Sequence, residues 1–199
     1  MRQRGFTIIE MAVTLTVLAF VLFAAVPSIG TWMDNTRIRN ATDALQSGIQ
    51  TARNEAVCRN QTMSFWLVSD TGGVLTDGCT LSNTSGSWVV SESSPAGNCA
   101  DAPSTTVAPM IVTGHPVGEG GGHVAIAALQ ADGTTAATQI TFNGFGRIAN
   151  TADAINRIDV ASETEGSEAR ALRLVISPAG LVRMCDPAVS NSTDPRKCT

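Results

Sequence analysis

A long uncharged segment near the N-terminus dominates the 199-residue sequence. No Asp, Glu, Lys or Arg occurs from Met11 to Met33, a run of 23 residues. As an α-helix this run is about 34 Å long, which is enough to cross the roughly 30 Å hydrocarbon core of a bilayer. Arg2 and Arg4 precede it, and positive charge on the short side of such a helix predicts that this end stays in the cytoplasm. The segment therefore predicts a membrane helix.

Two simple interpretations of this segment leave Glu10 unexplained. A secretory signal peptide requires a small-residue cleavage site, and residues 24–27 provide only a poor one after a very short basic leader. A plain membrane anchor fits the length and the charge, but an ionised carboxylate at the start of a membrane helix is costly. Glu10 therefore indicates that its charge finds a partner inside an assembly.

The residues around Glu10 resemble a known processing signal. Gly5, Phe6 and Thr7, followed by Glu10, are similar to the class III signal of type IV prepilins. The resemblance implies that a prepilin peptidase cleaves between Gly5 and Phe6 and methylates the new N-terminal Phe6. It also implies that the Glu10 carboxylate neutralises the N-terminal amine of a neighbouring subunit, since each of these charges is costly to bury alone. Residues 1–5 are the predicted leader.

From Asp34 onward the helical pattern becomes amphipathic. Six small or aliphatic residues recur at steps of three or four and fall on one face of the helix. One helix is therefore predicted for residues 6–60, with an apolar transmembrane or filament-core half over 6–33 and an amphipathic half over 34–60. The predicted buried stripe consists of Ile38, Ala41, Leu45, Ile49, Ala52 and Ala56.

The end of this helix carries a second resemblance. Residues 52–61, with the sequence ARNEAVCRNQ, resemble the helix end of the GspH/FimT group of minor pilins and pseudopilins. In that group a strand follows at once, and residues 62–68 have the β-branched and aromatic composition of a strand. The resemblance implies that the chain is a structural subunit of a filament.

The remaining residues, 61–199, are typical of a β-rich globular domain. Short apolar runs lie between Gly, Pro, Ser, Asn and Asp turn signals. We expect an α+β fold in which the long N-terminal helix packs on an antiparallel sandwich or paired sheets. Residues 70–86 and 91–106 are predicted surface loops. Strands are predicted at 62–68, 88–90, 107–112, 124–129, 139–142, 155–160, 172–176 and 181–184.

Five cysteines suit a domain outside the cytoplasmic membrane, where the compartment is oxidising. A bond between Cys185 and Cys198 closes a loop of 14 residues and pins a polar tail, which is worth about 3 kcal/mol in loop entropy. Cys79 with Cys99 is the next predicted pair, which leaves Cys58 free and buried on the helix. A zinc site is the rival interpretation, but the sequence has no Cys-x-x-Cys spacing.

No motif in the sequence predicts an enzyme, a cofactor or a metal site. Residues 144–149 match the Gly-x-Gly-x-x-Ala pattern of dinucleotide-binding proteins, but that pattern needs a βαβ unit and Asn150 interrupts any helix here. A turn that begins at Asn143 is the preferred interpretation. His115 and His123 lack the spacing of a ligand set and are predicted to lie in loops or on the surface.

The C-terminal segment is the one place where nucleic-acid binding is a hypothesis. Residues 177–187 resemble the end of FimT-type pilins, some of which contact DNA through a Gly-Arg-x-Arg motif, and here Leu181 occupies the first arginine position. Binding to DNA phosphates needs several cations, and the mature chain is formally at −6, with 11 positive and 17 negative side chains. A strand followed by a structural disulfide is the competing interpretation. The candidate DNA-binding residues are Gly180, Arg183, Arg196 and Lys197.

These features predict a filament subunit that is held in the inner membrane by a single pass, with a periplasmic globular domain, before it is assembled. The first hypothesis is a FimT/FimU-like minor pilin that helps to initiate a type IV pilus. The second is the GspH-type pseudopilin of a type II secretion system, and the third is a DNA-binding minor pilin for natural transformation. The expected partners are other pilins of the filament, the prepilin peptidase, the inner membrane and, under the third hypothesis, DNA.

Overall fold

The computed structural model of the protein describes residues 6–164, 166 and 168–198, without the side chains of 24–28. The predicted leader, which includes Gly5, lies outside the described residues. Within the described part, one helix precedes eight strands. These elements are α1 (Ile8–Arg59), β1 (Met63–Leu67), β2 (Trp88–Ser91), β3 (Ile111–His115), β4 (Val124–Leu129), β5 (Gln139–Phe142), β6 (Arg157–Ser162), β7 (Leu172–Ile176) and β8 (Val182–Cys185).

Helix α1 is continuous over 52 residues. It ends at Asn60, which adopts the left-handed conformation common at helix C-termini (φ 51°, ψ 40°) and donates its backbone N–H to the carbonyls of Ala56 and Val57. Judged by length and apolar character together, no helix in the described part of the chain qualifies as a membrane span.

The stripe predicted on the second half of α1 is its buried face. All six residues of the stripe are at most 4% exposed, and they pack against both sheets. Cys58, predicted to be free and buried, is free but exposed. The prediction was wrong because Cys58 lies two residues beyond the buried Ala56, which places it about 200° around the helix, on the opposite face.

Two four-stranded antiparallel sheets form the globular part. Their strand orders are β3-β2-β1-β5 and β4-β6-β7-β8. One core is shared by α1 and both sheets, and it includes Phe65 and Ile140 of the first sheet and Ile158 and Leu174 of the second. The predicted α+β fold, a long N-terminal helix packed on antiparallel sheets, is confirmed.

The first sheet is buried on both faces. Alternate residues of a strand point to opposite faces, so Phe65 enters the main core while Trp66 joins Val89 in a second cluster on the other face. The predicted Cys79–Cys99 disulfide is present and belongs to this second cluster, with both cysteines buried. The segments predicted as surface loops therefore also cover one face of a sheet.

Two predicted strands are displaced along the chain by two residues or more: the strand predicted at 155–160 is Arg157–Ser162, and the larger shift is at 107–112. The run 107–112 was expected to be extended, but β3 begins only at Ile111. Met110 has a positive φ of 57° and donates its N–H to the carbonyl of Val107 at 2.8 Å, which closes a turn. Pro109 lacks an N–H group and cannot pair within a ladder. This apolar run therefore forms a turn that precedes the strand.

Gly48 marks a close approach of α1 to the first sheet. A Cβ atom at this position would lie 2.7 Å from the ring of Trp88 and 2.8 Å from that of Phe65. Gly48→Ala is expected to lower the free energy of unfolding by about 1–3 kcal/mol, because the strain of overpacking exceeds the gain in helix propensity. Urea denaturation of the full chain in a mild detergent measures the change.

Gly30 offers a matched control on the same helix. An added Cβ at Gly30 meets nothing within 4 Å, so Gly30→Ala is expected to leave the urea midpoint unchanged or to raise it. Equal midpoints for Gly48→Ala and the wild type would contradict the close packing of α1 on Trp88 and Phe65.

Candidate functional site

The start of α1 is fixed by a cap that brings Thr7 and Glu10 together. Thr7 has an extended backbone (φ −85°, ψ 152°), and its Oγ1 accepts a hydrogen bond from the backbone N–H of Glu10 at 3.3 Å. The Thr-x-x-Glu spacing is the capping-box signature, so the sequence carries a signal for this helix start in addition to the processing motif. Glu10 also lies in the first turn, where the positive end of the helix dipole favours a carboxylate.

Glu10 is an exposed carboxylate within an apolar neighbourhood. Within the described residues it has no ion-pair partner. Its neighbours Phe6, Ile8 and Ile9 are exposed apolar side chains. An uncompensated charge among apolar groups is costly once water is excluded, so burial of this end requires a cation from another molecule.

The described side chains of the first half of α1, at 6–23 and 29–33, form an exposed and largely apolar surface. Large apolar side chains are exposed from the N-cap region to Met33, a pattern that marks an interaction surface rather than a folded core. A helix that is apolar on all sides is stable only in lipid or among other helices. Beyond those beside Glu10, the exposed members are Met11, Val13, Leu15, Val17, Leu18, Phe20, Val21, Leu22, Phe23, Ile29, Trp32 and Met33.

The C-terminal tail is folded back onto the second sheet. The predicted Cys185–Cys198 disulfide is present. Beside it, the backbone N–H of Asp186 donates to the carbonyl of Arg196 at 2.8 Å, and Asp186 and Lys197 form an isolated parallel bridge. The tail therefore runs beside the end of β8, which places Arg196 and Lys197 near the strand that carries Arg183.

The candidate DNA-binding residues are only partly brought together. The Arg183 Nη2 donates to the Lys197 carbonyl at 2.8 Å, so these two cations are neighbours. Arg196 is paired with Asp194 through two hydrogen bonds of 3.1 and 2.7 Å, and these bonds lower the pKa of Asp194 to about 2. Gly180 lies in the turn before β8, with a positive φ of 78°. DNA binding stays a prediction.

The Gly-x-Gly-x-x-Ala segment forms a turn. The backbone N–H of Asn143 donates to the carbonyl of Arg147 at 2.9 Å, and Phe142 pairs with Ile148 across the turn. His115 lies at the end of β3, with its Nδ1 3.2 Å from the carboxylate of Glu119 and its ring tilted at 31° to that of Trp88, 5.6 Å between ring centres. In the described part of the chain, no group of three or more His, Cys, Asp or Glu side chains has the arrangement of a metal site.

Comparison with known proteins adds two family matches. The model of the family described as "Type II transport protein GspH" matches residues 41–180, and that of the "Prokaryotic N-terminal methylation motif" matches residues 1–26. The first match includes the amphipathic half of α1 from Ala41 onward and strands β1 to β7. The second includes Gly5, Phe6 and Glu10. A search among curated proteins found no match.

Two solved structures of the type IV minor pilin FimU from Pseudomonas aeruginosa are similar to the chain. One aligns with 14% sequence identity and a TM-score of 0.46, over 74% of this chain and 87% of FimU. The other crystal form aligns with 15% identity and a TM-score of 0.44, over 73% of this chain and 90% of FimU. The GspH match extends over more than half of the sequence, and the methylation motif precedes it. The chain therefore belongs to the GspH family of minor pilins and pseudopilins, whose members are structural subunits rather than enzymes.

Proposed function

We propose that this chain is a minor pilin that helps to initiate assembly of a type IV pilus. The observation that carries the proposal is the first half of α1. Its described side chains are exposed and apolar on all sides, and its one carboxylate, Glu10, lies in the first turn. Such a helix needs other apolar helices around it, and a filament core supplies them. The globular domain, attached to the second half of the same helix, is then displayed outward.

Before assembly, the uncharged run from Met11 to Met33 holds the subunit in the inner membrane with its globular domain in the periplasm. The length of the run and the preceding basic residues support this placement. The two disulfides also support it, because structural disulfides persist in oxidising compartments such as the periplasm.

Processing by a prepilin peptidase supplies the partner that Glu10 lacks. Cleavage after Gly5 leaves an amine on Phe6, and the matched methylation motif supports methylation at this position. In the filament, the Glu10 carboxylate of one subunit pairs with the Phe6 amine of its neighbour, so that both charges are compensated when water is excluded.

A second candidate function is that of an H-type pseudopilin in a type II secretion system. The matched family is described as a type II transport protein, which favours this function. The helix, the leader and the processing step are the same in both proposals, so only the filament into which the subunit is incorporated differs.

The proposal is tested first at the N-terminus. Mass spectrometry of the mature protein from membranes is expected to find methylated Phe6 as the first residue. A chain that begins at Met1, or beyond Val26, would overturn the proposal. A deletion strain then separates the two candidates: lost surface pili with normal protein secretion identify the pilus, whereas normal piliation with lost secretion identifies the secretion system.

A further inference from the structure

A basic cleft opens where α1 meets the end of the second sheet. Its volume is about 370 Å³, and α1, β7, β8 and the folded-back tail all contribute to it. We propose that this cleft binds the phosphate headgroup of an anionic phospholipid in the outer leaflet of the inner membrane. This inference rests on the proposed function, because it requires α1 to cross that membrane before assembly.

The charges of the cleft favour an anion. Arg39, Arg170 and Arg196 line it, and Asp186 is the only carboxylate among the described lining residues. Three guanidinium groups against one carboxylate give a local formal charge of +2, in a chain whose net charge is −4. Arg196 pairs with Asp194 outside the lining, and Arg170 pairs with Asp186 within it. Arg39 is therefore the one lining cation without an ion pair among the described residues.

Several hydrogen-bond donors in the cleft are available to a ligand. Arg39 is exposed and makes no hydrogen bond or ion pair with any described residue. Asn35 accepts the backbone N–H of Arg170 at its Oδ1 (2.8 Å), which orients its amide group without using the Nδ2 donors. Arg170 contacts Asp186 at 3.0 Å but remains 62% exposed, which leaves further guanidinium N–H groups open. Guanidinium groups match phosphate oxygens in geometry as well as in charge.

The position of the cleft along α1 favours a lipid headgroup as the source of the phosphate. Asn35 lies two residues beyond Met33, the end of the uncharged run, and Arg39 lies six residues beyond it. At the rise of an α-helix they are about 3 and 9 Å past that end. The headgroup layer of each leaflet is about 5–7 Å thick. Asn35 therefore lies within the headgroup layer when the run fills the bilayer core. Arg39 begins about 2 Å beyond that layer, and its side chain can reach back to the phosphates because helical side chains tilt toward the helix N-terminus.

The remaining lining suits a lipid better than a free ion. Leu172 and Met184 line the same cleft and are partly buried against the main core. A phospholipid offers apolar glycerol and acyl carbons next to its phosphate, so one molecule satisfies both the cationic and the apolar parts of the lining. Inorganic phosphate satisfies only the first.

The test uses the full chain in lipid nanodiscs that contain phosphatidylcholine with a minor fraction of phosphatidylglycerol. Native mass spectrometry then reports which lipids stay bound after release from the disc. The wild type is expected to retain phosphatidylglycerol in preference to phosphatidylcholine. Arg39→Gln and Arg170→Gln are each expected to reduce that preference about fivefold, as expected for loss of one cation at a membrane surface.

Arg147→Gln is the matched control. Arg147 is also exposed, but it lies in a turn next to Arg53, which donates a hydrogen bond to the Gly146 carbonyl. Arg53 is about 30 Å along α1 from Met33, far from the proposed headgroup level. This variant is expected to retain lipid like the wild type. Unchanged thermal midpoints for the three variants exclude misfolding as the cause of any loss.

Each further outcome has a definite meaning. Equal lipid retention by wild type, Arg39→Gln and Arg170→Gln would overturn the lipid site. Binding of inorganic phosphate by the detergent-solubilised chain, without a preference for phosphatidylglycerol, would assign the cleft to a free anion and overturn the lipid as its ligand. Normal lipid retention with loss of the two variants from sheared filaments would assign it to a neighbouring subunit instead. A wild-type chain that does not enter the disc at all would overturn the proposed membrane helix, and the lipid site with it.

Discussion

A Glu10→Ala variant is expected to be synthesised, cleaved after Gly5 and retained in the membrane, yet to be absent from assembled filaments. Synthesis, cleavage and membrane retention are expected to be unaffected because the helix cap remains. The backbone N–H of residue 10 donates the capping hydrogen bond to Thr7, and the Glu10 side chain takes no part in it. The expected defect therefore appears only when the start of α1 enters a filament.

The size of the defect follows from the environment of Glu10. In a filament core, removal of the carboxylate leaves the neighbour's Phe6 amine buried without a partner. Breaking a buried charge pair in this way costs about 3–5 kcal/mol, which corresponds to at least a hundredfold loss of incorporation. In the isolated subunit Glu10 is exposed, so the same substitution is expected to leave the stability of the globular domain unchanged.

Sheared filaments from strains expressing each variant provide the measurement. Immunoblots of filament and membrane fractions are expected to show Glu10→Ala in the membrane only. Glu10→Gln, which keeps the shape and removes only the charge, is expected to behave in the same way. Glu119→Gln, at an exposed carboxylate of the globular domain, is the control and is expected to assemble normally. Normal amounts of Glu10→Ala in sheared filaments would contradict the proposed role of the carboxylate.

Removal of the Cys185–Cys198 disulfide is expected to lower the free energy of unfolding. The bond joins residues 13 positions apart, and loss of a closure of this length costs about 3 kcal/mol. Few other contacts hold the tail, whose backbone bonds to the body include that from Asp186 to Arg196. The double variant Cys185→Ser, Cys198→Ser is therefore expected to unfold at lower urea concentration and to release the tail.

Cys58→Ser supplies the control for this experiment. Cys58 is a free, exposed thiol on α1, so its replacement is expected to leave the urea midpoint of the full chain in detergent unchanged. Trypsin digestion under native conditions adds a local measurement, since cleavage after Arg196 and Lys197 is expected to accelerate in the double variant alone. A double variant with the wild-type midpoint and the wild-type digestion rate would show that the tail is held without the bond.

The sequence predicts those parts of the fold that depend on local periodicity. The burial of Ile38, Leu45 and Ile49 follows from steps of three and four residues, and the bounds of β4, β5 and β7 agree with the apolar runs. The burial predicted for Cys58 was wrong although the same periodicity places this residue opposite the buried stripe. The strand predicted at 107–112 was wrong because local composition does not encode the turn at Pro109 and Met110.

The candidate sites also differ in whether the local sequence is enough to predict them. Glu10 and its surroundings are contiguous in sequence, so the motif alone indicates them. The basic cleft depends on Arg39, Arg170 and Arg196, which are more than 130 positions apart at the extremes and meet only through the packing of α1 on β7 and the return of the tail. The pairing of Arg196 with Asp194, which weakens the predicted basic tail, is likewise visible only once the tail is folded.

The continuity of α1 has a mechanical consequence. The residues proposed to enter the filament core and those that carry the globular domain belong to one uninterrupted helix. The rotation of one half about the helix axis therefore fixes the rotation of the other half. Insertion of a single alanine between residues 30 and 36 would rotate the displayed domain by about 100° and advance it by about 1.5 Å. The continuous helix would therefore determine which face of the globular domain points away from the filament axis.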